Sequence, residues 1–384
     1  MAPLGEPGPA LLDLCAVLLT GLLVLVWLER RVERPLAVVG AVAVVLLSRL
    51  PVFGGFWATG QAEVLQDPLL MGALVLLDRE RPVAAGVCAF GILVLKYTSG
   101  LVLVPLLLVG RGRLALGVLA PTLVLALGAL LTGTLGPMVD AVWTFNLSHS
   151  GMGAVPWSSL PMEALGALGV LLLAAPALLL VLSSLRAPRR AWLPALLLVS
   201  ALVAVLVQRK LWGYHFTPLV LPSVLLAAQG LGGWRGGPWL LGAALLPSVP
   251  ALVKALVPLQ DYVYTDFSSR EVEQLSAFLA ERAEPGETLL VWGFEPGVYV
   301  HSGLHPACRW LYDYPVSMGL LEDPTLPCEA DWLVTFQDDA NALEPLPSAL
   351  QLQALPALHQ AVSVDYRVIA STDAGALILR RVED

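Results

Sequence analysis

Over its first two thirds, the chain alternates between long apolar runs and short polar connectors. A transmembrane helix needs about 20 consecutive apolar residues, and runs of that order recur here. The clearest are Leu11–Leu28, Pro35–Leu50, Leu114–Leu131, Met162–Leu185, Trp192–Val207 and Pro238–Val257. Backbone within lipid must satisfy its own hydrogen bonds, and the runs lack the alternation of a barrel, so we predict membrane helices.

Five connectors between these runs are rich in arginine. They are ERRVER (29–34), DRERP (78–82), GRGR (110–113), RAPRR (186–190) and GGWRGG (232–237). Because basic loops stay on the cytoplasmic side, the chain should cross the membrane twice between neighbouring connectors. Between Pro82 and Gly110 this requires a hairpin that turns near Lys96–Gly100. We therefore predict a polytopic α-helical membrane protein of about ten segments, with the N-terminus and the C-terminal domain outside.

The apolar runs stop at Val257, where the charge balance also changes sign. Residues 1–257 carry 16 Lys and Arg against 10 Asp and Glu, a net charge of +6, whereas residues 258–384 carry 6 against 20, a net charge of −14. We predict a transmembrane helical domain over 1–257 and a small extracytoplasmic α/β domain over 258–384. In the second domain SSREVEQLSAFLAERAEPGE predicts a helix, and TLLVWG, CRWLYDYP, ADWLVTF, YRVIA and ALILRRV predict strands.

The composition agrees with a membrane protein and argues against other classes. The chain is 57% apolar and 14% charged, against about 25% charged in average soluble domains. Its acidic balance argues against a nucleic-acid partner, and it lacks a P-loop, an HExxH motif and a Gly-x-Ser-x-Gly elbow. Cys308 and Cys328 fall in the exported domain and suggest a disulfide; no metal site is expected at this pair.

Ionisable side chains stand at the predicted outer ends of the helices. Glu63 and Asp67 lie one turn apart on one helix face. Either they are first-turn acids that the helix dipole favours, or they form a paired acidic site that faces an outer cavity. Lys96, at the hairpin turn, is either a snorkelling lysine or a cation for a lipid phosphate.

The stretch RKLWGYH (209–215) places further polar groups at the same interface. Arg209 and Lys210 run against the charge bias of the outer side, so an anionic ligand would explain them. Tyr214 fits an interfacial aromatic belt or the same ligand site. His215 is either a hydrogen-bonded structural residue or a member of that site.

The loop 134–162 is too long for a plain connector. Its polar and aromatic side chains could line a groove for a polar substrate. Asp140 and His149 are the candidate acceptor-groove residues, with Trp143, Asn146 and Trp157 beside them.

Three stretches together resemble the bacterial GT-C superfamily of integral-membrane glycosyltransferases, of the mannosyltransferase and aminoarabinose-transferase type. They are GQAEVLQDPLLMGALVLLDRERPVAAGVCAFGILVLKYTSGLVLVPLLL, RKLWGYHFTPLVLPSVLLAA and VEQLSAFLAERAEPGETLLVWGFEPGVYVHSGLHPACRWLY. Each motif is loose, but their order, with many helices before an external α/β domain, is similar to that family over nearly the whole chain.

The resemblance implies transfer of a sugar from a polyisoprenyl-phosphate donor at the outer face of the bacterial inner membrane. The donor would be an undecaprenyl-phosphate-linked sugar, and the acceptor a lipid, a glycan or a protein. A carboxylate would deprotonate the acceptor hydroxyl and cations would hold the phosphate leaving group. The matching candidates are Glu63 and Asp67 as acids and, as phosphate-binding groups, Lys96, Arg209, Lys210, Tyr214 and His215. No cofactor is implied with certainty, and a divalent metal ion stays open.

In that family the principal catalytic Asp lies in the first outer loop, after the first helix. The region GEPGPALLDLCAVLLTGLLVLVWLERRV resembles the second or third helix instead. We therefore expect the chain to begin after that loop. A chain without the loop would lack the principal base and would be inactive or incomplete on its own.

Two other functions fit the same residues. A transporter or lipid-handling protein would use the outer cations to bind an anionic substrate, and would place ionisable groups near the middle of the bilayer. A non-catalytic scaffold would simply display the acidic domain. Alanine at Glu63 or Lys96 separates the scaffold from the other two, because only the scaffold would keep binding lipid-linked sugar.

Overall fold

The structure is a computed structural model in which we describe residues 7–53, 62–144, 154–211, 213–250, 269–293, 297–308, 329–336, 356–372 and 375–382. The chain divides into two compact units. The first, which we call the helical unit, comprises Met1–Gly136 and Gly153–Pro258. The second, the sheet unit, comprises Pro137–Met152 and Leu259–Asp384.

The helical unit contains nearly all of the long apolar helices. Its α-helices within the described ranges are α1 (Pro7–Leu28), α2 (Arg34–Leu47), α3 (Ala62–Asp78), α4 (Pro82–Leu95), α5 (Leu103–Leu131), the short α6 (Leu135–Val139) that runs into the sheet unit, α7 (Leu160–Ala174), α8 (Pro188–Gln208), α9 (Val220–Leu231) and α10 (Gly237–Leu245). Tighter 3₁₀ segments cover Pro51–Phe53, Tyr97–Val102, Pro176–Arg186, Gly213–Leu219 and Leu246–Ser248, and a π-helical turn covers Asp140–Thr144. Helix α9 is buried along its whole length, so it forms the centre of this unit.

Three stretches of the described chain are long and apolar enough to cross a membrane: Leu11–Leu28, Tyr97–Leu131 and Pro188–Gln208. The run predicted over Met162–Leu185 instead bends by 96° between α7 and the following 3₁₀ segment. Helices α2 and α4 have 14 residues each, which is about 21 Å of helix against an apolar bilayer core of about 30 Å. The mostly helical architecture is therefore established, while a total of ten crossings stays a prediction.

The predicted hairpin between Pro82 and Gly110 is present. Helix α4 ends at Leu95, a 3₁₀ turn follows, and α5 returns along α4. Helix α5 is kinked at Arg111, whose φ is 51°. After the kink the backbones of α4 and α5 cross closely: a Cβ added to Gly86 would lie 2.2 Å from the Leu114 carbonyl oxygen. Such small-residue crossings are typical of membrane helices.

The arginine-rich connectors lie together at one end of the helical unit, which we call the arginine end. Arg31 donates two hydrogen bonds of 2.7 Å to Asp78, joining 29–34 to 78–82. The Gly233 amide donates to Glu33 Oε1 at 2.8 Å. Other contacts join 186–190 to 232–237 and bring Gly110 against Leu77. This grouping is the one that the charge pattern predicts.

The sheet unit contains a five-stranded mixed sheet. Its strands are β1 (Thr288–Trp292), β2 (His305–Pro306), β3 (Trp332–Phe336), β4 (Tyr366–Ser371) and β5 (Ala376–Arg381), in the spatial order β2-β1-β3-β5-β4. Strand β1 pairs in parallel with β2 and β3, and β5 pairs antiparallel with β3 and β4. Its helices among the described residues are α11 (Ser269–Arg282), α12 (Gly297–Ser302) and α13 (Pro356–Asp365).

Apolar side chains cover both faces of this sheet. Val272, Leu275 and Leu279 of α11 pack on one face with α12, and Val362 of α13 packs on the other. The predicted helix at the start of this unit, the strands of TLLVWG and ADWLVTF and the closing hairpin are confirmed. The strand predicted for CRWLYDYP lies almost entirely outside the described residues, so it stays a prediction.

Candidate functional site

A small cavity of about 20 Å³ lies between four parts of the helical unit. Glu63, Gln66 and Asp67 of α3 form its polar wall. The apolar walls come from the hairpin corner, from α8 and from the segment around Pro218 and Pro222. The cavity therefore lies between α3, the hairpin corner, α8 and the segment 218–222, which follows RKLWGYH in the chain. We call this end of the unit the polar end.

Glu63 and Lys96 form an ion pair at the edge of this cavity. The Lys96 ammonium contacts Glu63 Oε1, and Glu63 is 3% exposed. Helix α3 places Asp67 one turn further on, also buried and on the same wall. Since Glu63 is already paired with Lys96, Asp67 is the carboxylate of the pair that is better placed to act on a bound group.

Gln66 fixes the hairpin corner against α3. Its amide nitrogen donates to the Ile92 carbonyl oxygen at 2.9 Å, and its amide oxygen accepts from the Ser99 hydroxyl at 2.9 Å. The same Ile92 carbonyl accepts from the Lys96 backbone amide at 3.0 Å. The carbonyl groups in the last turn of a helix lack partners within the helix, and these bonds supply partners for that of Ile92. They also hold the Lys96 side chain beside Glu63.

Lys210, Tyr214 and His215 lie near Lys96, and none of these four residues lines the cavity itself. The Lys96 ammonium lies 5.9 Å from the centre of the Tyr214 ring, a cation–π distance. The Tyr214 ring meets His215 edge-on at 4.3 Å, and His215 Nδ1 donates to the Lys210 carbonyl oxygen at 2.6 Å. Burial, and next the charge of Lys96, lowers the pKa of Lys210 to about 8. His215 thus orders the backbone that carries Lys210.

Arg209 ends α8 in the left-handed conformation, with a φ of 54°. Its carbonyl oxygen accepts from the Val155 amide at 2.9 Å, and its guanidinium donates to the Val155 carbonyl at 3.3 Å. The guanidinium also lies 4.8 Å from the centre of the exposed Trp157 ring. Arg209 therefore anchors the segment 154–157 and does not line the cavity.

A second ion pair, absent from the sequence prediction, lies at the same end. Arg49, which follows α2, contacts Asp13 of α1 at 2.5 Å. Arg49 also acts electrostatically on Asp67, as does Glu63. Asp13 Oδ1 and Arg49 Nη2 are buried without a hydrogen-bond partner among the described residues. A row of charges thus runs from α1 to Lys96.

Two predicted residues fall outside the helical unit. Asp140 is exposed in the π-helical turn, which belongs to the sheet unit, and His149 lies outside the described residues. The acceptor groove predicted from these two therefore stays untested. Cys308 is disulfide-bonded, and Cys328, the partner expected from the sequence, lies outside the described ranges. Cys15 and Cys88 are free thiols.

Sequence reasoning missed Gln66, Ser99, Asp13 and Arg49. Gln66 carried a signal, because it follows Glu63 by three residues and so shares a helix face with it. The Asp13–Arg49 pair carried none, since its members belong to different helices and only the packing of α1 on α2 joins them. Within the described ranges no group of three or more His, Cys, Asp or Glu side chains is arranged to hold a metal ion.

Comparison with protein-family models and with curated proteins gave no match for this chain. Any functional assignment therefore depends on the geometry of the polar end and on the motif resemblance.

Proposed function

We propose that this protein is a membrane glycosyltransferase that uses a polyisoprenyl-phosphate sugar as its donor, at the outer face of the bacterial cytoplasmic membrane. The observation that carries the proposal is the cavity at the polar end, where Glu63 and Asp67 form one wall beside Lys96. The arginine-rich connectors lie together at a different end of the unit. By the charge rule for membrane loops, the polar end then faces outward.

In the proposed reaction a carboxylate removes a proton and the lysines stabilise negative charge. The Asp67 carboxylate takes the proton from the acceptor hydroxyl, whose oxygen forms the new bond to the anomeric carbon. The bond from that carbon to the phosphate oxygen breaks, and polyisoprenyl phosphate leaves with the electron pair. Lys96 and Lys210 hold the charge that develops on the phosphate. Glu63 keeps Lys96 in place through their ion pair.

Apolar walls suit a lipid-linked donor better than a free sugar nucleotide. Apart from Glu63, Gln66, Asp67 and Ser99, the side chains that line the cavity are aliphatic or proline, and they come from α3, the hairpin corner, α8 and the segment 218–222. An isoprenyl chain would lie against such surface, while the phosphate would meet the lysines at the rim. A sugar nucleotide would instead need polar contacts for its base and ribose.

The test uses the full chain in vesicles that contain labelled undecaprenyl-phosphate sugars, with donor binding and sugar transfer measured separately. We expect Asp67→Asn to keep donor binding and to lose transfer, and Lys96→Met to lose binding. The exposed Glu163 provides a matched control, and Glu163→Gln should change neither. Failure to bind any such donor would overturn the proposal. Movement of intact donor between leaflets without cleavage would support the transporter instead.

A further inference from the structure

The arginine end carries more positive charge than its own acidic residues can balance. Its five connectors contain eleven arginines and four acidic residues. Two connectors, 29–34 and 78–82, hold all four of the acids. Ion pairs form there between Arg31 and Asp78 and between Arg34 and Glu29. These two connectors hold five arginines against four acidic residues and are largely neutralised from within, and we call them the balanced half.

The fifth connector, 110–113, adds two arginines beside Leu77, and the pair formed by 186–190 and 232–237 contains four arginines and no acidic residue of its own. Within the described ranges, Glu33 is the acidic side chain that hydrogen-bonds into it, through the Gly233 amide. Arg189, Arg190 and Arg235 are exposed. Four of the six arginines in the acid-free connectors therefore lie in this pair.

Tight packing holds these two connectors next to each other. A Cβ added to Gly230, at the end of α9, would lie 2.3 Å from the backbone of Ser183 and Ser184. Only a residue without a side chain allows that approach. Beyond it, the Arg186 guanidinium lies 5.7 Å from the centre of the Trp234 ring. These contacts hold the connectors 186–190 and 232–237 side by side, so their exposed arginines lie on neighbouring segments.

The surface beside this patch of arginines is apolar and exposed. Leu185 directly precedes Arg186 and is 76% exposed, and Leu182, about one turn earlier, is 63% exposed. Trp239, in the first turn of α10, is 83% exposed. The 3₁₀ segment and α10 contact each other, so this apolar surface continues from one element to the next directly beside the charged patch.

We propose that Arg186, Arg189, Arg190 and Arg235 form a binding surface for the headgroups of anionic phospholipids in the leaflet opposite the donor site. Guanidinium groups bind phosphate oxygens in a two-pronged geometry that lysine cannot reproduce. Leu182, Leu185 and Trp239 take the first part of the acyl chains, which is why a lipid fits better than free phosphate. The proposal requires a membrane around the helical unit and does not depend on sugar transfer.

The test measures retention of phosphatidylglycerol by the full chain in phosphatidylcholine nanodiscs. The variant carries Arg189→Gln, Arg190→Gln and Arg235→Gln, and leaves Arg186 on Trp234. The matched control removes the same charge from the balanced half, with the three substitutions Arg30→Gln, Arg79→Gln and Arg81→Gln. We expect the first variant to bind phosphatidylglycerol at least about tenfold more weakly, and the control to change it by less than about threefold.

Three results would overturn the proposal. Equal losses in both variants would mean that only total charge matters. No loss in either would mean that the patch does not bind lipid. Displacement of phosphatidylglycerol by millimolar inorganic phosphate would identify a phosphate site instead of a lipid surface. The single variants Arg189→Gln and Arg235→Gln keep the test valid if the triple variant fails to fold, because each should weaken retention by itself.

Discussion

The Glu63–Lys96 ion pair permits a quantitative test of the polar end. The Glu63 side chain is 3% exposed and the Lys96 side chain 19%. Removing one partner of a fully buried ion pair costs about 3–5 kcal/mol, because the other charge stays buried alone. Since Lys96 keeps some contact with solvent, we expect Glu63→Gln and Lys96→Met each to lower the free energy of unfolding by about 2–3 kcal/mol. The double variant should lose less than the sum of the two.

The assay is a double-mutant cycle, measured by reversible unfolding in mixed lipid–detergent micelles. We expect a coupling energy of about 1–2 kcal/mol between Glu63 and Lys96. The control cycle uses Glu29 and Arg34, a pair in the same unit at 3.3 Å with far greater exposure. Exposed pairs of this kind couple by less than about 1 kcal/mol. A Glu63–Lys96 coupling no larger than that of the control would refute the claim that burial makes this pair structural.

Three further predictions concern charge, packing and hydrogen bonding. The pKa of Lys210 is lowered to about 8, so this lysine loses its charge as the pH rises through that value and donor binding should weaken between about pH 7 and 9. In Lys210→Arg, donor binding should not weaken over that range. Donor binding by the unmodified protein that stays constant from about pH 7 to 9 would contradict the role given to Lys210. Gly86→Ala should lower the thermal melting temperature because its Cβ meets backbone atoms, whereas Gly128→Ala, with open space around it, should not; equal melting temperatures would refute the close crossing. Tyr366→Phe should destabilise the sheet unit by about 1–2 kcal/mol in denaturant unfolding, since the hydroxyl donates to the buried Ala330 carbonyl at 2.5 Å; no loss would mean that this carbonyl finds another donor.

The hairpin and the grouping of the connectors could be predicted from sequence because both follow from charge. If all the arginine-rich connectors lie on one side of a membrane, the apolar chain between two of them must turn back. Between Pro82 and Gly110 this turn comes at Lys96. The bend before Pro176 could not be predicted in the same way. Proline removes a helix hydrogen bond, yet Pro68, Pro121 and Pro194 lie inside helices. Packing, and not the residue type, decides which proline ends a helix.

The sequence pointed to the acidic residues and the lysine of the candidate site as candidates. It did not indicate the contacts that bring these residues together. Glu63, Asp67 and Lys96 stand out because charge is rare within apolar sequence. That Glu63 pairs with Lys96 while Arg49 acts on Asp67 depends on how α1, α2 and α3 pack, which no local pattern records. Arg209 stays a predicted ligand-binding residue, and the contact of its guanidinium with the segment 154–157 is one that no sequence pattern indicated.

The arrangement of the two lysines gives a physical reason for an anionic ligand at the polar end. Glu63 and Asp67 each have a cation acting on them, Lys96 and Arg49 respectively. Lys210 is buried, and Lys96 acts on it by repulsion. Two like charges held near each other in a partly desolvated place raise the free energy of the folded state. A phosphate oxygen between them would relieve that repulsion, so binding of a phosphate-bearing lipid should stabilise the helical unit more than binding of the corresponding uncharged lipid.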